Sequence, residues 1–272
     1  MPADPKQTAF SLHPGGRDLT LHAAALADIG PKDRVLDIGC GTGESLRLLA
    51  ELPGLNGQDC EWAGIDCSDA VLRFCRQPDQ GPRISWQSGD AACLPFPGGS
   101  FDIALMECVI TLLEEPAGAL REAARVLKPG GRLIISALTD ESASGAGRVE
   151  TCGPHCSDGS PETVCGPHCS DDSPETVCRP HDSLVLEGLL LPQVLKAFAG
   201  SLDLTLLCEE DRRSDLIRYL AESIFQYGSV EARIRAENEK TGTSVFDCRC
   251  CCEPKKTGYR LFIFRKALAQ PL

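Results

Sequence analysis

The chain has 272 residues, 42% of them apolar, which allows one large α/β domain with elaborations and excludes a chain too polar to form a core. Twenty-seven basic residues against 39 acidic ones give a net charge of −12 with no concentrated basic patch, which argues against a nucleic-acid backbone as partner. The first ten residues, MPADPKQTAF, lack a cationic start followed by an apolar run, and no stretch of about eighteen apolar residues occurs, so a soluble, cytoplasmic protein without a membrane partner is expected.

In chain order, Asp18 stands where it could cap a helix through Leu19, Ala24 and Ile29, closed by Gly30 and Pro31. Short apolar runs then alternate with helix-period stretches: strand RVLDI, a helix from Glu44 to Leu52, strand CEWAGID, a helix from Asp69 to Arg76 capped by Ser68, and strand RISWQ. Strand FDIALM follows, then the helix PAGALREAARVL opened by Pro116, a KPGG turn, and strand RLIISAL. Strands and helices taking turns predict an α/β fold with a Rossmann-like, doubly wound, mostly parallel sheet and helices on both faces. From 139 to 183 the composition turns to Ser, Gly, Pro, Asp, Cys and His, which reads as an insertion in a single domain. Beyond it come LEGLLLPQVLKAFAG with helical period, strand-like DLTLLCEE, a charged helical region from about 213 to 240, and a last strand GYRLFIFRK. The last two strands are expected to pair antiparallel at a sheet edge, and residues 211–257 to form a helical cover with a Cys-rich segment.

The segment VLDIGCGTGE ends a strand on Asp37 and places glycines at 39, 41 and 43, where the chain turns sharply and a ligand can approach the backbone. A dinucleotide fingerprint would need glycine where Glu44 stands, and the G-K-[ST] of a P-loop is absent. Asp66 lies at the end of the second strand, at the offset of a carboxylate that grips a sugar diol. SGDAACLPFPGGSFD then offers Asp90 to an exocyclic amine and Ala91 as room for a ring. Together these motifs resemble the class I S-adenosylmethionine-dependent methyltransferases, in particular the small-molecule branch with the ubiquinone/menaquinone enzymes, over about Pro14 to Leu138. The resemblance implies S-adenosylmethionine as cofactor and a small-molecule acceptor. It places Asp37, Gly39, Gly41 and Gly43 along the methionine part, Asp66 on the ribose, and Asp90 with Ala91 at the adenine. Cys40 and Cys67, adjoining these positions, join the cofactor set. HPGGRDLT resembles that branch's entry loop and would bring Gly15, Gly16 or Arg17 near the methionine carboxylate.

Glu107 and Cys108 follow the fourth strand, at the carboxyl edge of the sheet where an acceptor would be oriented, and are the candidate catalytic residues. ECVITLLEEPAGALREAARVLKPGG also resembles the arsenite methyltransferases, in which the cysteine matched by Cys108 binds arsenic(III). Glu107 and Thr111 replace two asparagines of that pattern, and its upstream cysteine has no counterpart here. The acceptor is accordingly a small molecule, with a thiol-bound metalloid as the sharpest form. If an oxygen or nitrogen is methylated, Glu107, His155 or His168 could remove its proton.

Sixteen cysteines in a reducing compartment read as thiols or metal ligands and not as disulfides. Residues 152 to 181 repeat with a period of 13, offering Cys152, His155 and Cys156, then Cys165, His168 and Cys169, then Cys178 and His181. Such sets suit zinc or another thiophilic metal, although C-x-x-H-C is not a common zinc framework, and a slippage-expanded spacer that binds nothing explains them equally. A protein that binds or senses metal on a methyltransferase-like scaffold is therefore the alternative function.

Overall fold

The computed structural model describes residues 13–56, 60–76, 83–142, 184–186, 188–241 and 256–269. Five parallel strands form its centre: β1 (Arg34–Ile38), β2 (Glu61–Asp66), β3 (Ile84–Ser88), β4 (Phe101–Glu107) and β5 (Leu127–Asp140), in the spatial order β3-β2-β1-β4-β5. The order reverses direction at β1 and β4, and in open α/β sheets the crevice beyond such a switch point is where ligands sit. The hairpin β6 (Val185–Leu186) and β7 (Leu189–Leu190) joins β5 at Thr139, where β4 has already departed. On the other side β9 (Thr257–Lys266) runs antiparallel to β5, and β8 (Leu204–Asp211) pairs antiparallel with β9. The last two strands thus form the expected antiparallel pair at the sheet edge, with β8 outermost.

Alternation along the strands divides the core between two faces. Leu36, Ile38, Ala104, Met106, Ile135 and Phe262 pack with helices α4 (Pro116–Val126) and α5 (Pro192–Ser201). Val35, Trp62, Leu105, Ile134, Tyr259 and Ile263 pack with α1 (Gly16–Leu26) and α2 (Glu44–Ala50). Helix α3 (Asp69–Cys75) covers β2 and β3, and its cap is the expected one, with the Ser68 hydroxyl accepting from the Val71 amide.

Three local expectations are corrected. Helix α1 begins after Gly15, at φ 81°, so Asp18 lies in the first turn, where its charge complements the helix dipole, and is not the cap. The KPGG stretch is no free turn: β5 already pairs at Leu127, and the four residues form an irregularity between Phe101 and Ile103, with Gly130 at φ 82°. The charged region after 212 is two helices, α6 (Arg213–Tyr227) and α7 (Val230–Thr241), separated at Gly228, whose φ of 83° closes α6 with a left-handed cap. Helix α6 packs on β9, and α7 packs on α6 and α3.

Candidate active site

The strand period that builds the core also gathers the acids. Asp37 shares a face with Val35, Asp66 with Trp62, and Glu107 with Leu105, so three carboxylates from three adjacent strands end on the α1/α2 side at the carboxyl edge. Asp37 is 3% exposed and Asp66 7%, and the Glu107 side chain is 5% exposed. Burial pushes the Asp37 carboxyl well above the usual carboxylate range, and the charges of Glu107, Asp66 and Cys75 push it further. Among the described residues no hydrogen-bond donor meets the Asp37 carboxylate. The site therefore gathers three buried acids, and the proton held by Asp37 limits the charge they carry together.

The glycine turn lies beside these acids. Gly39, Gly41 and Gly43 have φ of 74°, 52° and 77°, the left-handed region that a side chain resists. Two of them are also closed sterically: a Cβ on Gly39 would stand 2.2 Å from a Val109 methyl and one on Gly43 2.3 Å from the Trp86 ring, whereas Gly41 faces open space. The amides of Gly39 and Cys40 both donate to the Ile65 carbonyl, and Asp66 holds the turn with Oδ2, which accepts from the Gly41 amide at 3.0 Å. Its Oδ1 accepts from the Ser68 amide at 2.9 Å. Each oxygen keeps a second lone pair for a sugar hydroxyl. Asp90 is exposed, with Oδ1 accepting from the Ala92 amide, and Ala91 beside it is buried. Cys67 is exposed next to Asp66, and the Cys40 thiol lies against Gly64 and Cys75.

Glu107 is held from two helices: Thr20 of α1 donates to Oε1 at 3.0 Å and Ser45 of α2 donates to Oε2 at 2.5 Å. His13 Nε2 stands 3.9 Å from the same carboxylate and 3.4 Å from the Thr20 hydroxyl. A cleft of about 180 Å³ opens beside this group, lined in part by His13, Arg17, Thr20, Glu44 and Ser45. Cys108 adopts φ 53°, a conformation costly for a residue with a Cβ, while its amide donates to the Ser136 carbonyl. Its sulfur lies 3.3 Å from the hydroxyl of the fully buried Tyr259, which donates to Ser136 Oγ. Burial drives the Tyr259 hydroxyl well above its ordinary range, the neighbouring Cys108 adding to the effect, so it stays a neutral donor.

Arg17 is exposed on the cleft rim, while Gly15 backs onto Leu19 and Asp215. His13, Thr20, Ser45, Ser136 and Tyr259 were not identified from the sequence, since each is an ordinary residue within its own element. A polar Thr20 on the buried face of α1 was the one available signal. Cys152, His155, Cys156, Cys165, His168 and Cys169 lie outside the described residues, and among the described residues no three potential ligands come together to hold a metal.

Residues 36–135 match the family described as a methyltransferase domain. The chain is 38% identical over 133 residues to the 2-phytyl-1,4-naphtoquinone methyltransferase of Synechococcus elongatus, covering 47% of this chain and 54% of that one. It is 36% identical over 110 residues to the ubiquinone/menaquinone biosynthesis C-methyltransferase UbiE of Cereibacter sphaeroides, covering 39% of this chain and 42% of that one. The chain thus spans about half the length of these curated relatives. Among solved structures it is similar to the [4+2]-cyclase SpnF, with a TM-score of 0.58, 21% identity, and coverage of 93% of this chain and 82% of that one. That last likeness concerns the fold, which can host different reactions. The glycine turn and the strand-end acids lie within the stretch that matches: residues 36–135 are similar to a methyltransferase domain and are set in a Rossmann-like fold.

Proposed function

We propose that this chain binds S-adenosylmethionine and transfers its methyl group to a small apolar acceptor of the quinol class. The observation that carries the reading is the group of buried acids at Asp37, Asp66 and Glu107 close to the glycine turn with its open Gly41, which suits a cationic ligand and disfavours a phosphate. Bound there, the cofactor would supply an electrophilic methyl on a positively charged sulfur. Asp37 and the turn from Gly39 to Gly43 would hold its amino acid part, Asp66 its ribose, and Asp90 with Ala91 its adenine. Arg17 on the cleft rim suits the carboxylate.

Positioning is this chain's main contribution, because displacement at a methyl gains most from aligned reactants and excluded water. Glu107, fixed by Thr20 and Ser45, is the group placed to accept a proton from the acceptor. Leu112 and Leu186, 48% and 53% exposed, present apolar surface at the same sheet edge, which supports a hydrophobic acceptor and agrees with the named substrate of the Synechococcus relative. Helices α6 and α7 would serve as the cover.

Two measurements test this. Titration with S-adenosylhomocysteine should show micromolar or tighter binding, and a reduced 1,4-naphthoquinone incubated with the cofactor should gain one methyl by mass. No affinity for the nucleoside removes the reading; affinity without methylation of any quinol removes the acceptor. A second acceptor, a thiol-bound metalloid, is favoured only by the strained Cys108 beside Glu107, and arsenite methylation lost in Cys108→Ser would select it. Zinc or another thiophilic metal on the Cys/His repeats remains a separate proposal. Stoichiometric metal in anaerobically purified protein, lost on deleting 150–181, would support it.

Titration of Asp37 gives a further expectation. Its raised value means that the folded protein holds that proton more tightly than the unfolded chain, so the group favours folding below the ordinary carboxylate range and withdraws that stability as pH rises through the raised value. A cationic ligand favours the ionised carboxylate instead. Binding of S-adenosylmethionine should therefore release protons and strengthen as pH rises through that window. Calorimetry in two buffers of different ionisation enthalpy measures the release, which Asp37→Asn should diminish. Equal heats in both buffers would contradict it.

A further inference from the structure

At the glycine turn two buried thiols converge on one carbonyl. Cys75 Sγ at the end of α3 donates to the Gly41 oxygen at 3.2 Å, and Cys40 Sγ lies 3.9 Å from the same oxygen. They are 2% and 8% exposed. Around them the scaffold is tied together by Arg47, which donates to the Thr42 carbonyl in the turn and to the Cys75 carbonyl at the end of α3, both at 2.8 Å. The guanidinium also lies over the Trp86 ring, which closes against Gly43 and Gly64.

We propose that Cys40 and Cys75 form a peroxide-oxidisable dithiol whose disulfide distorts the glycine turn and weakens nucleoside binding. The chemistry is balanced with hydrogen peroxide as oxidant. The Cys75 thiolate attacks one peroxide oxygen, giving a sulfenic acid as the O–O bond breaks and hydroxide leaves, which takes up the proton that Cys75 released and becomes water; Cys40 sulfur then displaces the sulfenic oxygen, which leaves as water with the Cys40 thiol proton as the S–S bond forms. Two thiols are oxidised, one peroxide is reduced, and two waters result. The order of attack follows from the surroundings. The Cys40 hydrogen bond and the Arg47 charge lower the Cys75 thiol against its burial, while the same pairing and burial raise that of Cys40.

A disulfide leaves neither sulfur with a proton to donate to the Gly41 oxygen, and its fixed dihedral draws the end of α3 and the turn toward one another. That carbonyl then loses its thiol donor, and the Gly41 amide on the same residue, held by Asp66, is displaced with it. This consequence rests on the nucleoside-binding reading of the turn; formation of the bond does not.

The test uses the full chain, treated with hydrogen peroxide, alkylated, digested without reductant and mapped by mass spectrometry. A Cys40–Cys75 linked peptide is expected. Affinity for S-adenosylhomocysteine should fall at least about fivefold and return with dithiothreitol. Cys75→Ser keeps a hydroxyl donor for the Gly41 carbonyl, so its affinity should stay near that of the reduced protein and should no longer respond to peroxide. Absence of the linked peptide while other thiols are oxidised overturns the proposal, as does equal peroxide sensitivity in Cys75→Ser. If that variant does not fold, the peptide map and the dithiothreitol reversal in the unaltered chain still decide. Reduced protein that fails to bind the nucleoside counts against the function proposed above, while the map independently decides the disulfide.

Discussion

Asp66→Ala is expected to weaken binding of S-adenosylhomocysteine about a hundredfold, or about 2.7 kcal/mol, with little change in secondary structure. The carboxylate does two jobs at once. Its oxygens accept from the Gly41 and Ser68 amides, fixing the turn and the start of α3, and their remaining lone pairs face the space assigned to the ribose. Charge-assisted hydrogen bonds of this kind contribute about 1.5–3 kcal/mol each, so losing the turn contact and the sugar contact together accounts for the effect. Asp90→Ala provides the contrast. Asp90 is exposed and its side chain accepts only from the Ala92 amide of its own loop among the described residues, so a loss of no more than about tenfold is expected, given that an exposed interaction is worth less than a buried one. Isothermal titration of both variants separates the two positions, and an Asp66→Ala protein with unaltered affinity would defeat the ribose assignment.

Gly39→Ala should be the most damaging of the glycine substitutions to the fold, and Gly41→Ala the most selective for binding. At Gly39 the new Cβ would meet Val109 at 2.2 Å, and the backbone is at φ 74°. Left-handed backbone costs about 1–2 kcal/mol for an L side chain and an overpacked contact about 1–3 kcal/mol more. A loss near 3 kcal/mol lowers the melting temperature by about 6–12 °C for a protein of this size. Gly41 has φ 52° but open space where the Cβ would go, so only the backbone term applies, and the melting temperature should fall by no more than about 2–8 °C. The added methyl would instead occupy the approach to the turn, and nucleoside affinity should drop by at least about tenfold, since that space is assigned to the ligand. Thermal melts and titrations on the same two preparations check the pairing. A Gly41→Ala protein that binds normally would place the ligand elsewhere.

Helices α6 and α7 bear on the proposed cover in a different way. The α6 face with Ile217, Ile224 and Phe225 is exposed, Phe225 at 91%, while Leu216 and Leu220 of the same helix pack into the core beside α1. Asp215, buried at the start of α6, accepts from Arg212 at 2.7 Å and lies against Gly15, so this helix is anchored beside the start of α1.

Much of this architecture was readable along the chain because its signals are local. RVLDI, CEWAGID and RISWQ each declare a strand through a short apolar run bounded by turn residues, and the structure places strands at Arg34–Ile38, Glu61–Asp66 and Ile84–Ser88. Ser68 caps α3 and Pro116 opens α4 as their residue types dictate. Where two local signals competed, the reading failed. Asp18 is a good cap by type, but Gly15 reaches the left-handed conformation that starts α1 earlier, and KPGG has turn composition yet is drawn into β5 by pairing with Phe101.

What the sequence determined by itself is therefore the order of strands and helices, the glycine turn, and the presence of acids at the ends of β1, β2 and β4, because backbone preferences and side-chain period act over a few residues. Which groups those acids meet was decided only in three dimensions. Thr20 and Ser45 reach Glu107 across 87 and 62 positions, Tyr259 reaches Cys108 across 151, and Cys75 reaches the Gly41 carbonyl across 34. Such partners are chosen by sheet register and helix packing, where one residue of slip would turn each side chain to the opposite face, and no local preference encodes that outcome.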